Sequence, residues 1–171
     1  MMTYAAAAHT AFDQNLAMLD GLLAKAARHE AGDDLLAVRL AEDMLPLATQ
    51  IRFVGHQVVN TLNLLAGGDY TLSETDPATL AQARAHITDL RAMMADHPAQ
   101  DWAGSGEQVE FGPGQGYTFA AQAHEYTRDW ALPNFYFHAV TAYAILRHQG
   151  LAIGKADFLP YMMRYLVQPS G

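Results

Sequence analysis

The sequence predicts an all-α fold, an antiparallel four-helix bundle, and three observations carry that prediction. Hydrophobic residues make up 51% and charged residues 16% of the 171, which is enough apolar side chain for one well-cored domain. Four long segments place apolar residues at the alternating three- and four-residue spacing of a bundle seam, with glycine or proline between them. The stretch 132–158, LPNFYFHAVTAYAILRHQGLAIGKADF, is so apolar between Phe135 and Leu146 that it reads as a central helix buried nearly all round.

In chain order, Thr3 caps a first helix to about residue 29 whose stripe is Ala5, Phe12, Leu16, Leu19, Leu23 and Ala26, with His9 on the same stripe. Gly32 breaks it, and Asp33-Asp34 starts a short turn through Leu40. Asp43 is the expected cap of a second helix with Pro46 in its first turn, and Leu47, Ile51, Val54, Val58, Leu62 and Leu65 inward. Its polar face carries Thr49, Arg52, His56, Asn60 and Asn63, and Gly67-Gly68 end it. Ser73-Glu74-Thr75-Asp76-Pro77 signals a third helix to about residue 96, with Leu80, Ala83, Ile87, Leu90 and Met94 inward. His97-Pro98 closes it.

Val109 and Phe111, then Gly112 to Gly116, then Tyr117 and Phe119 alternate around a glycine-rich turn, so a short hairpin or loop is expected there. The fourth helical region spans about 120–148, interrupted at Leu132-Pro133 because the residue before proline disfavours helical geometry. Gly150 stops it, and Arg147 and His148 suit its C-terminal dipole. Gly154-Lys155-Ala156-Asp157 reads as a turn and cap, with Lys155 a candidate anion contact, leading into a short helix to about residue 165 and a loose tail.

Composition excludes several classes of function. Ten Lys+Arg against 18 Asp+Glu give a net charge of −8, which opposes binding to nucleic acid or to anionic lipid. Cysteine is absent, so disulfides, thiolate nucleophiles and thiolate metal sites are out. The N-terminus has no basic region before its alanine run and reads as a helix start, not a signal peptide. With no apolar run of spanning length, a soluble cytoplasmic protein is expected. The glycine-rich turn lacks the Lys-Ser/Thr of a phosphate loop, and neither G-x-S-x-G nor H-E-x-x-H occurs.

His138 is the leading candidate for a functional side chain. Burying an imidazole on so apolar a helix is costly unless its nitrogens are satisfied. Asn134 and Thr141 share its face, so the ring is either a core histidine bonded to one of them or across the bundle, or a contact for a small-molecule ligand. His56 lies at the centre of the polar face of the second helix and becomes a ligand only if that face lines a pocket or a dimer interface. His9 has Asp13 one turn on, the spacing of a helix-surface pair and equally of a carboxylate that orients a metal ligand. His9, His56 and His138 form one site only if their helices meet at one level. His148 is about 80° around and about 15 Å along from His138, so the two cannot share a metal. His29, His86, His97 and His124 read as surface residues.

The segment from Val38 to Gln50 and the late motif LPNFYFHAVTAYAILRHQGLAIGKADF resemble a domain-of-unknown-function branch of the DinB-like superfamily over most of the chain. That resemblance implies a DinB-type bundle, often dimeric, in a bacterial cytoplasm. It also implies a divalent metal (zinc, nickel, manganese or iron) held by one histidine of the second helix and an H-x-x-x-H pair on the last long helix, serving thiol-dependent transferases or isomerases. His56 and His138 match two of those positions. The third is Ala142, which cannot ligate. The expectation is therefore a small-molecule-binding homodimer with a degenerate metal site, most simply without a cofactor. The alternatives are a metal-dependent transferase or hydrolase and a purely structural or interaction protein.

Overall fold

The structure, a computed structural model, describes residues 2–114 and 116–167. Gln115 and residues 168–171 lie outside the described residues. The elements are α1 (Tyr4–Ala26), α2 (Leu47–Leu65), α3 (Leu80–Asp96), β1 (Gln108–Gly114), β2 (Tyr117–Gln122), α4 (Ala123–Tyr126), α5 (Leu132–His148) and α6 (Lys155–Phe158). Short 3-10 turns cover Gly32–Ala37, Ala99–Asp101 and Pro160–Tyr165.

All the apolar residues assigned to the stripes of the first three helices are buried, and His9 on the α1 stripe is half-buried. Around the bundle the order is α1, α3, α2, α5, with α5 closing against α1. Directions follow from the pairings. Asp13 with Arg91 and Asp20 with Arg84 make α1 and α3 antiparallel. Gln50 with His138 sets α2 level with α5, and Thr49 with Asp76 places the N-terminal end of α2 beside the approach to α3. Leu65 accepts from Ala103, just past α3, so α2 and α3 run parallel. The connection 66–79 therefore travels back along α2, fastened by Tyr70 to Asn63, by Ser73 to His56 and by Asp76 to Arg52.

Four local expectations are corrected. Pro46, not Asp43, is the N-cap of α2, its fixed φ of −70° holding the extended cap geometry. Helix α3 starts at Leu80 with the Thr79 hydroxyl as cap, because Asp76 is drawn away to Thr49 and Arg52. Pro133 does not interrupt the last helix. Thr127–Ala131 is a π turn in which the Leu132 amide reaches back five residues to Thr127, and Ala131 and Leu132 keep helical angles into Pro133. Widening by one residue accommodates a ring that lacks an N–H. Finally, α5 is not buried all round. Tyr136 (36%), Phe137 (58%) and Val140 (47%) are exposed, because α5 has neighbours on only two sides.

Strands β1 and β2 form one antiparallel pair, as the alternation around the glycine-rich turn predicts. Gly112 is required there: a Cβ at this position would lie 2.2 Å from the Tyr117 carbonyl oxygen. Phe111 packs on Trp130 and Tyr126, so the hairpin leans on the π turn and roofs the outer edge of the α2–α5 seam.

Candidate functional site

His138 faces α2, and its hydrogen bond crosses the bundle. Its Nδ1 lies 2.8 Å from Gln50 Oε1. The Gln50 amide nitrogen donates to the Leu45 carbonyl, so its oxygen is the atom turned to the histidine. Nδ1 is therefore the protonated nitrogen and Nε2 keeps its lone pair. Burial pushes the imidazole from its ordinary 6.5 down to about 4, with nearby His56 adding to the fall. The ring is neutral at any physiological pH.

His56 is half-buried on the neighbouring turn of α2. Its Nε2 donates to the Ser73 carbonyl at 2.8 Å, which leaves Nδ1 as the lone-pair nitrogen. Phe53 stands between the two imidazoles, 5.0 Å from the His56 ring and 5.2 Å from the His138 ring. The returning connection fixes this face of α2. Arg52 Nε lies 2.6 Å from Asp76 Oδ1, and the Thr49 hydroxyl donates to Oδ2 at 2.5 Å. Partial burial alone would raise the Asp76 carboxyl, but those hydrogen bonds outweigh it and hold the group below the usual range.

These side chains border an open cleft of about 460 Å3 lined by Phe53, His56, Gln57, Asn60, Leu72, Gly112, Trp130, Asn134 and His138. Each wall has a different origin: the polar face of α2, one turn of α5, the returning connection at Leu72, the hairpin at Gly112 and the π turn at Trp130. The Gln57 Oε1 atom is buried with no hydrogen-bond partner. Trp130 and Gly112 also border an adjoining recess with Asn63, Glu110, Phe111 and Tyr126.

The sequence candidates divide. His56, Asn134 and His138 share the cleft. Asn134 does not bond to His138; its amide nitrogen donates to the Trp130 carbonyl one turn back, which steadies the π turn. Thr141 does not line the cleft, since its hydroxyl is buried and donates to the Phe137 carbonyl. His9 is elsewhere: its Nε2 bonds to the Met94 carbonyl and its ring lies beside Trp102, between α1 and the end of α3. Asp13 pairs with Arg91 instead of His9. The three histidines therefore do not converge, because α1 sits diagonally across the bundle from α2.

All four histidines read as surface residues are partly buried, and two of them meet other elements of the bundle. His97 bonds the Tyr70 hydroxyl. His86 lies against Gly55 with its Nε2 buried and unpartnered, and desolvation lowers its pKa against the opposing pull of Asp89. Asp157 pairs with Lys25 and accepts from the Gly154 amide, so it is not a partner of Lys155. Gln50, Gln57, Phe53 and Trp130 were missed by sequence reasoning. The polar stripe on α2 was the available signal, and it lacked only the knowledge that α5 and the connection cover it.

The donor set does not fit a three-histidine metal site. His56 and His138 each retain one lone-pair nitrogen, and Gln50 orients His138 as an outer partner orients a metal ligand. The third position is Ala142, fully buried in the core. Among the described residues no group of three or more His, Cys, Asp or Glu is placed to hold a metal ion. A closed or catalytic site of that kind needs at least three protein ligands. Among the described residues, no helix is long and apolar enough to cross a membrane.

No curated protein matches the chain. A solved structure described as a DinB family member protein from Shewanella denitrificans is similar, with a TM-score of 0.73 and 28% identity over 95% of this chain and 92% of that one. The family model for a domain of unknown function, DUF1993, matches residues 4–159. The chain belongs to that DUF1993 family, with a DinB-like helical bundle.

Proposed function

We propose that this protein binds a small molecule in the α2–α5 cleft and does so without a resident metal. The observation that carries the reading is the open cleft itself, where two aromatic rings, Phe53 and Trp130, stand beside two imidazoles whose orientation is fixed by hydrogen bonds to Gln50 and the Ser73 carbonyl. Concave sites that combine aromatic walls with a few fixed polar groups are the usual form of ligand sites.

Two measurements on untagged protein purified without chelators test this. Native mass spectrometry is expected to find a small organic adduct that Trp130→Ala loses. Elemental analysis is expected to find no near-stoichiometric zinc, nickel, manganese or iron. Metal that is present in stoichiometric amount and disappears in His138→Ala would overturn the reading. It would favour instead the alternative of a metal-dependent transferase or hydrolase, which the shared placement of His56 and His138 in one cleft supports.

A homodimer built on α5 belongs to the same proposal. Phe137 and Val140 are exposed on a helix with no Asp, Glu, Lys or Arg between Leu132 and Leu146. Two copies each carrying −8 repel least where the surface has no charge. Light scattering is expected to show a dimer that Phe137→Glu dissociates, and a wild-type monomer would refute it.

A further inference from the structure

Helix α5 carries a second apolar stripe, on its outward face. Pro133, Phe137, Val140 and Ala144 follow one another at four-, three- and four-residue spacing, and all but the half-buried Ala144 are exposed. That is the spacing of a helix seam, while α2 and α1 already pack against the other sides of α5. The C-terminal segment widens the stripe on the flank away from the α2–α5 cleft. Phe158 packs on Tyr143 with ring centres 5.4 Å apart. Burial, and then the neighbouring Tyr161, raise the pKa of the Tyr136 hydroxyl, which puts Tyr161 beside Tyr136. Met162, Met163 and Tyr165 follow, each at least half exposed. With Tyr136, Phe137 and Val140 they leave on the order of 600 Å2 of side chain in water, most of the roughly 800 Å2 per partner that a standard-size interface buries.

The charges select the occupant. Between Leu132 and Leu146 α5 has no Asp, Glu, Lys or Arg. The one charge of the segment 158–167, Arg164, lies against its own Tyr165 ring. This face takes an apolar partner, and a second copy of the same stripe supplies one while holding the rest of two −8 chains apart.

The ends of the stripe select the direction. Arg147 is the next stripe position after Ala144, with His148 beside it, and both are exposed. The approach to Pro133 carries Glu125, Arg128 and Asp129, two acids against one base. In a parallel pair each end meets its own copy, like charge on like, with the helix dipoles aligned. In an antiparallel pair the basic end of one helix points toward the acidic end of the other, and the dipoles oppose.

We propose that the protein is a two-fold dimer in which the outer stripes of α5 pair antiparallel, with Val140 at the axis and Phe137 of each copy against Ala144 of the other. The inference rests on the reading of α5 as the dimer face. The bulky Phe137 fills the space that the small Ala144 leaves, the knob and hole of a self-complementary seam. An axis that crosses α5 preserves its flanks, so both α2–α5 clefts open on the same side of the dimer. A parallel pair would instead lay the C-terminal segment of each copy over the cleft of the other.

The chain has no cysteine, so engineered ones report the seam without interference. Val140→Cys, Phe137→Cys, Ala144→Cys and a mixture of the last two are oxidised and run on non-reducing gels, beside light scattering of the wild type. A disulfide needs Cα atoms within about 7 Å. In the antiparallel pair, positions 137 and 144 each lie about 10 Å along the helix from their own copies and level with one another. Val140→Cys is expected to crosslink to itself. The mixture is expected to give about tenfold more crosslinked dimer than either of its components alone.

If Phe137→Cys or Ala144→Cys crosslinks to itself as well as the mixture does, the pair is parallel; the proposal falls while the α5 dimer stands. If the wild type is a dimer but neither Val140→Cys nor the mixture crosslinks, the interface is elsewhere and both the proposal and the α5 face fall. A wild-type monomer overturns the dimer itself.

Discussion

Gln57→Met should make the free protein more stable. The wild-type residue buries a carbonyl oxygen with no donor, a state that costs about 1–3 kcal/mol. Methionine has similar length, a helix propensity at least as good and no oxygen to desolvate. The Gln57 backbone carbonyl, which accepts from the Thr61 hydroxyl, is untouched. Allowing for imperfect packing of the thioether, a gain of about 1 kcal/mol remains. For a chain of this size that raises Tm by about 2–4 °C. Urea unfolding followed by circular dichroism gives the free-energy change directly, and calorimetry gives Tm. A variant less stable than wild type by about 1 kcal/mol or more would mean that Oε1 is satisfied in solution, and the reasoning would fail.

Other expectations follow from the same contacts. Gln50→Leu leaves the His138 Nδ1–H without its acceptor and should cost about 1–3 kcal/mol, with most of that loss absent when His138→Ala is already in place. Additive losses in that double-mutant cycle would show the bond to be negligible. On acidification, the unfolded chain takes up a proton at His138 near its ordinary 6.5 while the folded ring resists to about 4. Stability is therefore full above about pH 6.5 and falls between 6.5 and 4, with His86, also lowered by burial, contributing in the same direction. Because the His138 ring is partly solvated, a loss of about 1–2 kcal/mol is expected from it. A flat urea midpoint from pH 7 to 5 would refute this. Gly55→Ala would place a methyl 2.3 Å from His86 Nε2 and should cost about 1–3 kcal/mol, much of it recovered when His86→Ala is added. An equal cost in both backgrounds would show that the histidine is not what the methyl meets.

Local rules explain where the sequence reading worked. The stripes of α1, α2 and α3 were legible because helical periodicity alone decides which side chains can share a core. The hairpin was legible from alternation around glycines. The misplaced helix starts have two causes: Pro46 holds the extended cap geometry of α2 in place of Asp43, and Asp76 is bonded to Arg52 and Thr49 instead of capping α3. Pro133 misled because steric rules for the residue before proline assume an ordinary α-turn, and the chain inserted a π turn instead.

His138 and His56 could be singled out from the sequence as polar groups on informative faces, and the chain's charge and lack of cysteine bounded the chemistry. What they touch could not be read there. Hydrogen bonds at neighbour spacing made Asn134 and Thr141 the natural partners of His138, whereas both bond back to their own helix and the ring turns to Gln50, 88 residues away. His9 shares a stripe with core residues but not a level or a neighbour with His138. Burial pattern and net charge are sums over residues and survive in one dimension. Which nitrogen is free, which oxygen is stranded and which indole walls the cleft depend on helix order, direction and the returning connection, and only the tertiary structure decided them.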